Sequence, residues 1–308
     1  MESALNPMQI YYMNVTPENL VFIAGVVWHR IFFKITGNND PISSPYITGD
    51  TFRSLATHKY DRRQTFSPSD VAEKDIVFVA SELLHEFFTK IHPHIKNRYV
   101  LITHNEDTNI DSKWTGFIDS RIIHWFGQNV AIKHSKITPI PIGIENLDYY
   151  NHGVPAFFSK LQAKKVVKKN LIVFGFSIHT NPKERQKAYN YISHFPYARE
   201  VGGRLNGYRY LEMANRYAFV LSPPGHGIDC IRTWEALYLG VIPIVKRGVA
   251  TEYFASLGLP LWIVDSWDEL DAFTPTTLKE KYKKMMKKAD TQPLFFSYWK
   301  DRITSYVT

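Results

Sequence analysis

The segment AFVLSPPGHGIDCIRTWEALYLGVIPIVK, residues 218–246, predicts a strand–turn–helix–strand unit. Its first residues, AFVL, form an apolar run that the turn residues SPPG close, as expected of a strand buried on both faces. A second apolar run, VIPIV, follows Gly240, which we expect at the C′ position of the helix with a positive φ. Such βαβ units build parallel α/β sheets, and these bind ligands beyond the carboxyl ends of their strands.

The glycine-rich turn and the helix start behind it predict an anion site. Gly225 and Gly227 allow backbone N–H groups to approach a bound group, and we expect Asp229 to cap the helix. Arg232 and Glu235 lie three residues apart and so share one helix face. A guanidinium suits phosphate and a carboxylate accepts ribose hydroxyls, which predicts a nucleotide cradle. A plain turn followed by a solvated Arg–Glu ion pair is the alternative.

The same segment resembles the donor-binding segment of exostosin-like glycosyltransferases, whose pattern is roughly S-P-x-G-x-G-x-D-x-x-R-x-W-E-A-L-x-x-G-x-I-P-I-V. Four earlier segments resemble the small soluble members of that family. They are YITGDTFR at 46–53, ITHNED at 102–107, WFGQN at 125–129 and IPIGIEN at 140–146. The family more often has Ser-Asp after the His-Asn pair of the second segment. Asp107 therefore holds a family position, whereas Glu106 is a departure.

The resemblance implies the GT-B fold, an α/β architecture in which two Rossmann-like domains with parallel sheets face each other across a cleft. It implies a hexosyl- or pentosyltransferase that moves a sugar from a nucleotide-sugar donor, usually a UDP-sugar, to an acceptor hydroxyl. The acceptor would be a glycan or a lipid-linked oligosaccharide in surface polysaccharide or glycoprotein glycan synthesis. Transfer would invert the anomeric centre and need no metal, so we expect no cofactor. A non-catalytic nucleotide- or glycan-binding module on the same fold is the alternative.

The resemblance also implies a set of donor-binding residues. We expect Arg185, which follows the apolar strand NLIVFGF, and Arg232 to stabilise the leaving diphosphate. Glu235 would accept the ribose hydroxyls. The whole predicted set is Arg185, Ser222, Gly225, His226, Gly227, Asp229, Arg232 and Glu235.

The catalytic base is expected in the N-terminal part of the chain, because an inverting transfer needs a group that removes the acceptor proton. Asp107, just past a buried strand, is the first candidate, and Asp50 in the loop ITGD is the second. His104 is a third candidate, which could instead cap the strand end or contact the donor. The alternative for each is an ordinary loop hydrogen bond.

The length of 308 residues and a hydrophobic content of 44% fit two folded domains. Residues 151–169 are lysine-rich and lack strand signals, so we place the boundary there. We predict an N-terminal acceptor-binding domain at 1–155, a nucleotide-sugar-binding domain at 165–275, and C-terminal helices at 276–308 that return to the first domain.

Segments that decide cellular location are inconspicuous. The longest apolar run, Leu20–Trp28, is far shorter than the roughly 20 residues that span a bilayer, so we predict a core strand or helix there. No signal-peptide pattern is seen. Cys230, the single cysteine, excludes an intramolecular disulfide and favours a reducing compartment. We therefore expect a cytoplasmic protein, and a nucleophilic Cys230 is disfavoured because no base lies near it in sequence.

The net charge of +8 concentrates in two lysine runs, at 164–169 and 279–288. These runs are typical of a solvated face, and peripheral contact with an anionic membrane is the alternative. No nucleic-acid module is recognised, so no nucleic-acid partner is expected. The pair His92 and His94 lacks further ligands at zinc-site spacing. The glycines of VGGRLNG, at 201–207, lack dinucleotide spacing, which disfavours a dehydrogenase or epimerase.

Overall fold

The computed structural model describes residues 43–146, 153–202, 205 and 207–308. The predicted core segment Leu20–Trp28 lies outside these residues. The described part contains two five-stranded sheets, and every neighbouring pair of strands in them is parallel. Helices connect the strands, which confirms the predicted α/β class.

The N-terminal sheet has the order β1-β2-β3-β4-β5. The central strand, β3, and its neighbour β2 are buried along nearly their whole length. The strands are β1 His58–Tyr60, β2 Asp75–Ala80, β3 Tyr99–His104, β4 Ile122–Gly127 and β5 Ile137–Pro139. Two helices accompany them, α1 Gly49–Ser54 and α2 Leu84–Glu86.

The helical segment at 81–91 is irregular. A 3-10 turn precedes α2, and a π-helical turn, Phe87–Ile91, follows it. The widened turn accompanies the burial of two adjacent aromatic rings, Phe87 and Phe88, in the core. Pro93, which lacks an N–H group, lies in the 3-10 turn His92–His94 that ends the helical run.

The C-terminal sheet has the order β10-β9-β8-β6-β7. From β6 the chain goes to β7 on one side of the sheet and then returns to β8 on the other. Ligands of open α/β sheets bind at such a switch point, beyond the carboxyl ends of the two strands. The strands are β6 Asn170–Phe174, β7 Ala198–Glu200, β8 Tyr217–Leu221, β9 Ile242–Lys246 and β10 Trp262–Val264.

Helix α6 occupies the predicted position after the glycine turn, but it begins later than expected. Its N-cap residue is Cys230, which makes no side-chain capping bond, so the predicted cap at Asp229 is wrong. Gly240 has φ +63°, as predicted for the C′ position. The remaining helices are α3 Pro155–Ala163, α4 Pro182–Ile192, α5 Gly207–Ala214, α6 Ile231–Tyr238, α7 Val249–Ser256, α8 Pro275–Lys287 and α9 Phe296–Thr304.

One apolar core cluster joins the two sheets. It contains residues of both, such as Ile102 of β3 and Val220 of β8, and it includes Trp299 of α9. The C-terminal helix lies against the N-terminal half, where the Phe296 N–H donates to the Pro45 carbonyl at 3.0 Å. These contacts place the carboxyl ends of the two sheets opposite each other, across the cleft described next.

Candidate functional site

The cleft lies where loops from the carboxyl ends of both sheets meet. Residues from both halves line it, and the cavity volume is about 220 Å³. The C-terminal wall stands at the switch point between β6 and β8. The lining residues are Asp107, Ile142, Thr180, Arg185, Gly225, His226, Gly227, Asp229, Cys230, Ile231 and Arg232.

The four N-terminal segments that carry the family resemblance lie side by side in the structure. Gly49 packs so closely that a Cβ there would lie 1.5 Å from Oδ1 of Asn105, so no side chain fits. Asn146 donates to Asn105 at 2.9 Å and accepts from the Asp50 N–H at 3.0 Å. The Ile142 N–H donates to the Asp229 carboxylate in the C-terminal half. Segments distant in sequence therefore form one wall.

The three predicted base candidates have different surroundings. Asp107 is more than half exposed and lies in the cleft, with Oδ2 3.7 Å from Nδ1 of His226. Asp50 lies 3.3 Å from Arg63 and is not among the cavity-lining residues. His104 is buried, and its Nδ1 accepts from the Asn105 N–H at 2.7 Å.

The second ring nitrogen of His104 is also engaged, because Nε2 donates to the Pro141 carbonyl at 3.0 Å. Burial lowers the pKa of His104 to about 4, so the ring is neutral near pH 7. A neutral imidazole with both nitrogens bonded to the backbone holds the end of β3 in place, as the strand-end alternative predicts.

Glu145 is a functional candidate that the sequence interpretation missed. It lies in the segment IPIGIEN, is half-buried, and has a pKa raised to about 7 by burial and, secondarily, by Asp107. Its charge also raises the pKa of Glu235 on α6, and neither carboxyl group is among the cavity-lining residues. The available signal was a carboxylate that follows the apolar residues of IPIGIEN, a few residues beyond the carboxyl end of β5.

Glu235 and Arg232 form the polar face of α6. Glu235 is only 4% exposed, and burial raises its pKa to about 7 although Arg232 opposes that shift. The solvated ion pair that the sequence left open does not fit such burial. Arg232 lines the cavity, and its Nε has no hydrogen-bond partner in the described part of the chain. Its guanidinium carbon lies 5.8 Å from the ring centre of Phe176.

Arg185 is placed in the cleft wall, but its guanidinium is already occupied. An arginine has five N–H donors, and here each has an acceptor within the protein. Nε donates to the Pro224 carbonyl at 3.0 Å, and the other acceptors are Ser177 O, Thr180 Oγ1, Pro223 O and Cys230 Sγ. In this arrangement Arg185 fixes the two switch-point loops, and a diphosphate would have to displace one of these acceptors.

The remaining predicted turn residues differ in accessibility. Ser222 is buried and its hydroxyl lies 2.9 Å from that of Thr233, so it lies behind the cavity wall. His226 is more than half exposed at the cleft mouth. The Gly225 N–H donates to the Gly227 carbonyl at 3.0 Å. In the first turn of α6 the Thr233 N–H donates to the Cys230 carbonyl at 2.9 Å, which leaves the N–H groups of Ile231 and Arg232 without an intrahelical partner.

Asp229 and Cys230 line the cavity, but the hydrogen bonds of their side chains go to other protein groups. The Asp229 carboxylate accepts from the Ile142 N–H at 2.8 Å, the Cys230 N–H at 2.9 Å and the Trp234 indole. These bonds leave the carboxylate little capacity to bind a nucleotide sugar. Burial raises the pKa of the Cys230 thiol, which disfavours the thiolate that a nucleophile needs.

Features outside the cleft constrain the other predictions. Among residues 43–146, 153–202, 205 and 207–308, no group of three or more His, Cys, Asp or Glu side chains could hold a metal. No helix in the same ranges is long and apolar enough to cross a bilayer. In the first lysine run, Lys164 pairs with Glu212, and Lys168 donates to two buried carbonyls. Two of the four lysines of that run are therefore engaged within the protein, whereas Lys165 and Lys169 are exposed.

The raised pKa of Glu235 predicts a pH-dependent effect of the substitution Glu235→Gln. A carboxyl group whose folded pKa lies above its unfolded value stabilises the fold below the unfolded pKa, and this contribution is lost as pH rises through the folded pKa. The variant should therefore gain stability relative to wild type between about pH 4.5 and 7, by on the order of 3 kcal/mol. Chemical denaturation of the ligand-free proteins at several pH values measures this.

The comparison with wild type is needed because buried histidines act in the opposite direction. Burial lowers the pKa values of His104 and His124 to about 4, so their contribution is lost as pH falls from about 6.5. Both histidines are present in wild type and in Glu235→Gln, so their contributions cancel in the difference between the two unfolding free energies. A difference in unfolding free energy that stays constant over this pH range would contradict the burial-raised pKa of Glu235.

No protein-family model matches the sequence, and no curated protein matches it. The fold is similar to solved structures. An apo structure of OtsA shares 11% identity over 78% of this chain and 74% of that chain, with a TM-score of 0.45. Anabaena Alr3699/HepE in complex with UDP-glucose shares 11% over 75% and 77%, with a TM-score of 0.43. An α,α-trehalose 6-phosphate synthase from Burkholderia multivorans shares 9% over 78% and 72%, with a TM-score of 0.40.

Likenesses at these identities and TM-scores do not identify an activity, and we base no functional conclusion on them. The exostosin-like resemblance has no matching family model and stays a prediction. The function proposed below is supported by the geometry of the cleft.

Proposed function

We propose that this protein is a glycosyltransferase that transfers a sugar from a nucleotide-sugar donor, a UDP-sugar in the first instance, to an acceptor hydroxyl. One observation carries the proposal. A buried carboxylate, Glu235, and a guanidinium, Arg232, whose Nε has no hydrogen-bond partner among the described residues, share the face of α6 directly behind the glycine turn. They lie at the switch point of the C-terminal sheet, opposite the carboxyl groups of the N-terminal wall.

The C-terminal wall supplies the donor contacts in this proposal. Arg232 and the first-turn N–H groups of α6 bind the diphosphate, because both present N–H donors and positive charge. Glu235 accepts the ribose hydroxyls. Arg185 supports the loops around the phosphates and, after exchange of one acceptor, adds charge to the leaving group. These cations take the role that a metal would have, so we propose transfer without a metal cofactor.

The N-terminal wall supplies the base. We propose Glu145 for this role, with Asp107 as the alternative. A general base works best when its pKa lies near the working pH, and the pKa of Glu145 is about 7. A base on the wall opposite the diphosphate is placed for attack from the far side of the anomeric carbon, which gives inversion. The acceptor class, a glycan or a lipid-linked oligosaccharide, rests on the family resemblance.

A nucleotide screen tests the proposed function. Thermal-shift and calorimetric measurements with UDP, ADP, GDP and the corresponding nucleotide sugars, each with and without chelator, should show binding of one nucleotide that chelator does not change. The same nucleotide should be released slowly from its sugar with water as acceptor. The absence of binding by every nucleotide would contradict the proposal. Binding without any release would favour the non-catalytic binding module.

A further inference from the structure

Helix α6, which carries the proposed donor contacts, touches the N-terminal half at both of its ends. Before its first turn, Oδ2 of Asp229 accepts from the Ile142 N–H at 2.8 Å. The Asp229 N–H in turn donates to Oδ1 of Asn129 at 2.9 Å. Ile142 and Asn129 belong to loops that follow β5 and β4. The contact therefore joins the start of α6 to the opposite wall of the cleft.

Asp229 is held as firmly on its own side. The indole Nε1 of Trp234 donates to both carboxylate oxygens, at 3.0 and 2.9 Å. Trp234 is fully buried in the core cluster and packs edge-on against Phe254 at 5.1 Å between ring centres. The Asp229 carboxylate thus links the buried Trp234 side chain directly to the Ile142 backbone by hydrogen bonds.

The other end of α6 has a second link. The Tyr238 hydroxyl accepts from the Ile47 N–H at 3.0 Å and donates to the Leu294 carbonyl. Its ring packs edge-on against Tyr46, with 4.9 Å between ring centres. All four residues are buried. The buried hydroxyl thus has its donor, Ile47, in the N-terminal half and its acceptor, Leu294, in the C-terminal segment. These two bonds fix the second end of the helix.

We propose that Asp229 and Tyr238 are positioning residues that fix both ends of α6 to the N-terminal half, so that the cleft keeps one width with or without a ligand. The continuous core cluster between the sheets supports this, because halves joined by a large apolar interface do not move freely. The Asp107–His226 pair across the mouth contributes little, since both side chains are more than half exposed and 3.7 Å apart.

The test measures the distance between the halves in the ligand-free protein by pulsed electron–electron resonance. Spin labels are attached at Ser112→Cys and Lys183→Cys, exposed positions after cleft loops of the two halves, in a Cys230→Ser background. Wild type should give one narrow distance distribution. The variants Asp229→Asn and Tyr238→Phe should each add a population at longer distance.

Matched controls separate positioning from a general loss of stability. Asp265→Asn and Tyr191→Phe remove the same chemical groups from exposed hydrogen bonds to Arg247 and Asp271, neither of which lies on α6, and they should leave the distribution unchanged. Asn129→Ala removes the other bond between the start of α6 and the N-terminal wall, in which Oδ1 of Asn129 accepts from the Asp229 N–H, and it keeps the test open if Asp229→Asn does not fold. Several distances in the wild type, or wild-type distributions in Asn129→Ala and Tyr238→Phe, would overturn the inference.

A second arm adds UDP, with binding verified by calorimetry. We expect the wild-type distance to be the same with bound UDP, and a shift on binding would overturn the fixed-width cleft. If UDP does not bind, the proposal of a UDP-sugar donor is contradicted. The distances in the ligand-free protein still decide whether the cleft has a fixed width. The two failures are therefore distinguishable.

Discussion

Replacing Glu235 with glutamine should weaken the binding of uridine diphosphate about 100-fold. The ribose of a nucleotide offers two hydroxyl donors, and a hydrogen bond to a charged group contributes about 1.5–3 kcal/mol. An amide keeps the shape and one acceptor oxygen but loses the charge. A 100-fold change in Kd corresponds to about 2.7 kcal/mol, in the upper part of that range. Titration calorimetry of wild type and Glu235→Gln measures the effect.

The matched control is Glu252→Gln, which removes a carboxylate paired with Arg247 on the exposed surface of α7. It should bind the nucleotide as wild type does. Because hydroxyl donors favour the ionised carboxylate, binding to wild type near pH 6 should also release a proton. Repeating the titration in buffers of different ionisation enthalpy detects that proton. Equal affinities of wild type and Glu235→Gln would remove Glu235 from the donor site.

Replacing Glu145 with glutamine should lower the turnover of a nucleotide sugar by about 10²–10⁴-fold, the range that general-base catalysis contributes. The amide cannot accept a proton, but it preserves the size of the side chain in its half-buried position. Nucleotide affinity should change little, since Glu145 lies on the opposite wall from the diphosphate contacts. Release of nucleotide from the nucleotide sugar, followed with wild type and variant at equal saturation, measures the effect.

Asp107→Asn is the decisive companion to that experiment. The sequence favours Asp107 as base, whereas the burial-raised pKa near 7 favours Glu145. If the rate falls in Asp107→Asn and is retained in Glu145→Gln, Asp107 is the base and our assignment is wrong. Glu73→Gln, which alters only an exposed pair with Arg98, should retain wild-type turnover and serves as the control for a lost carboxylate.

The pH profile gives an independent readout. A base with a pKa near 7 should lose activity as pH falls below that value, because protonation removes its capacity to accept the acceptor proton. The acid limb of the profile should disappear in Glu145→Gln. An acid limb that persists unchanged in this variant would assign the titrating group elsewhere.

The local sequence alone determined the elements of the C-terminal half. An apolar run ended by SPPG predicts a buried strand, and the structure has β8 at Tyr217–Leu221. Gly240 ends α6 with a positive φ because a residue without Cβ adopts it at little cost. The order of strands and helices along the chain then predicts parallel sheets. Each of these inferences depends on residues adjacent in sequence, which is why the sequence was sufficient.

Partners that are distant in sequence decided the roles of the polar side chains. Asp229 was expected to cap the next helix, but its carboxylate bonds to the backbone of Ile142, 87 residues earlier. Arg185 was expected to bind phosphate, but loop carbonyls occupy its donors. Glu145 was not predicted as a site residue, because the residues adjacent to it in sequence do not indicate that it is buried. The sequence by itself thus determined the elements and the face of α6 that carries Arg232 and Glu235. Only the tertiary structure decided which polar groups are occupied and which carboxyl groups have raised pKa values, because burial and hydrogen bonding depend on chain segments brought together by folding.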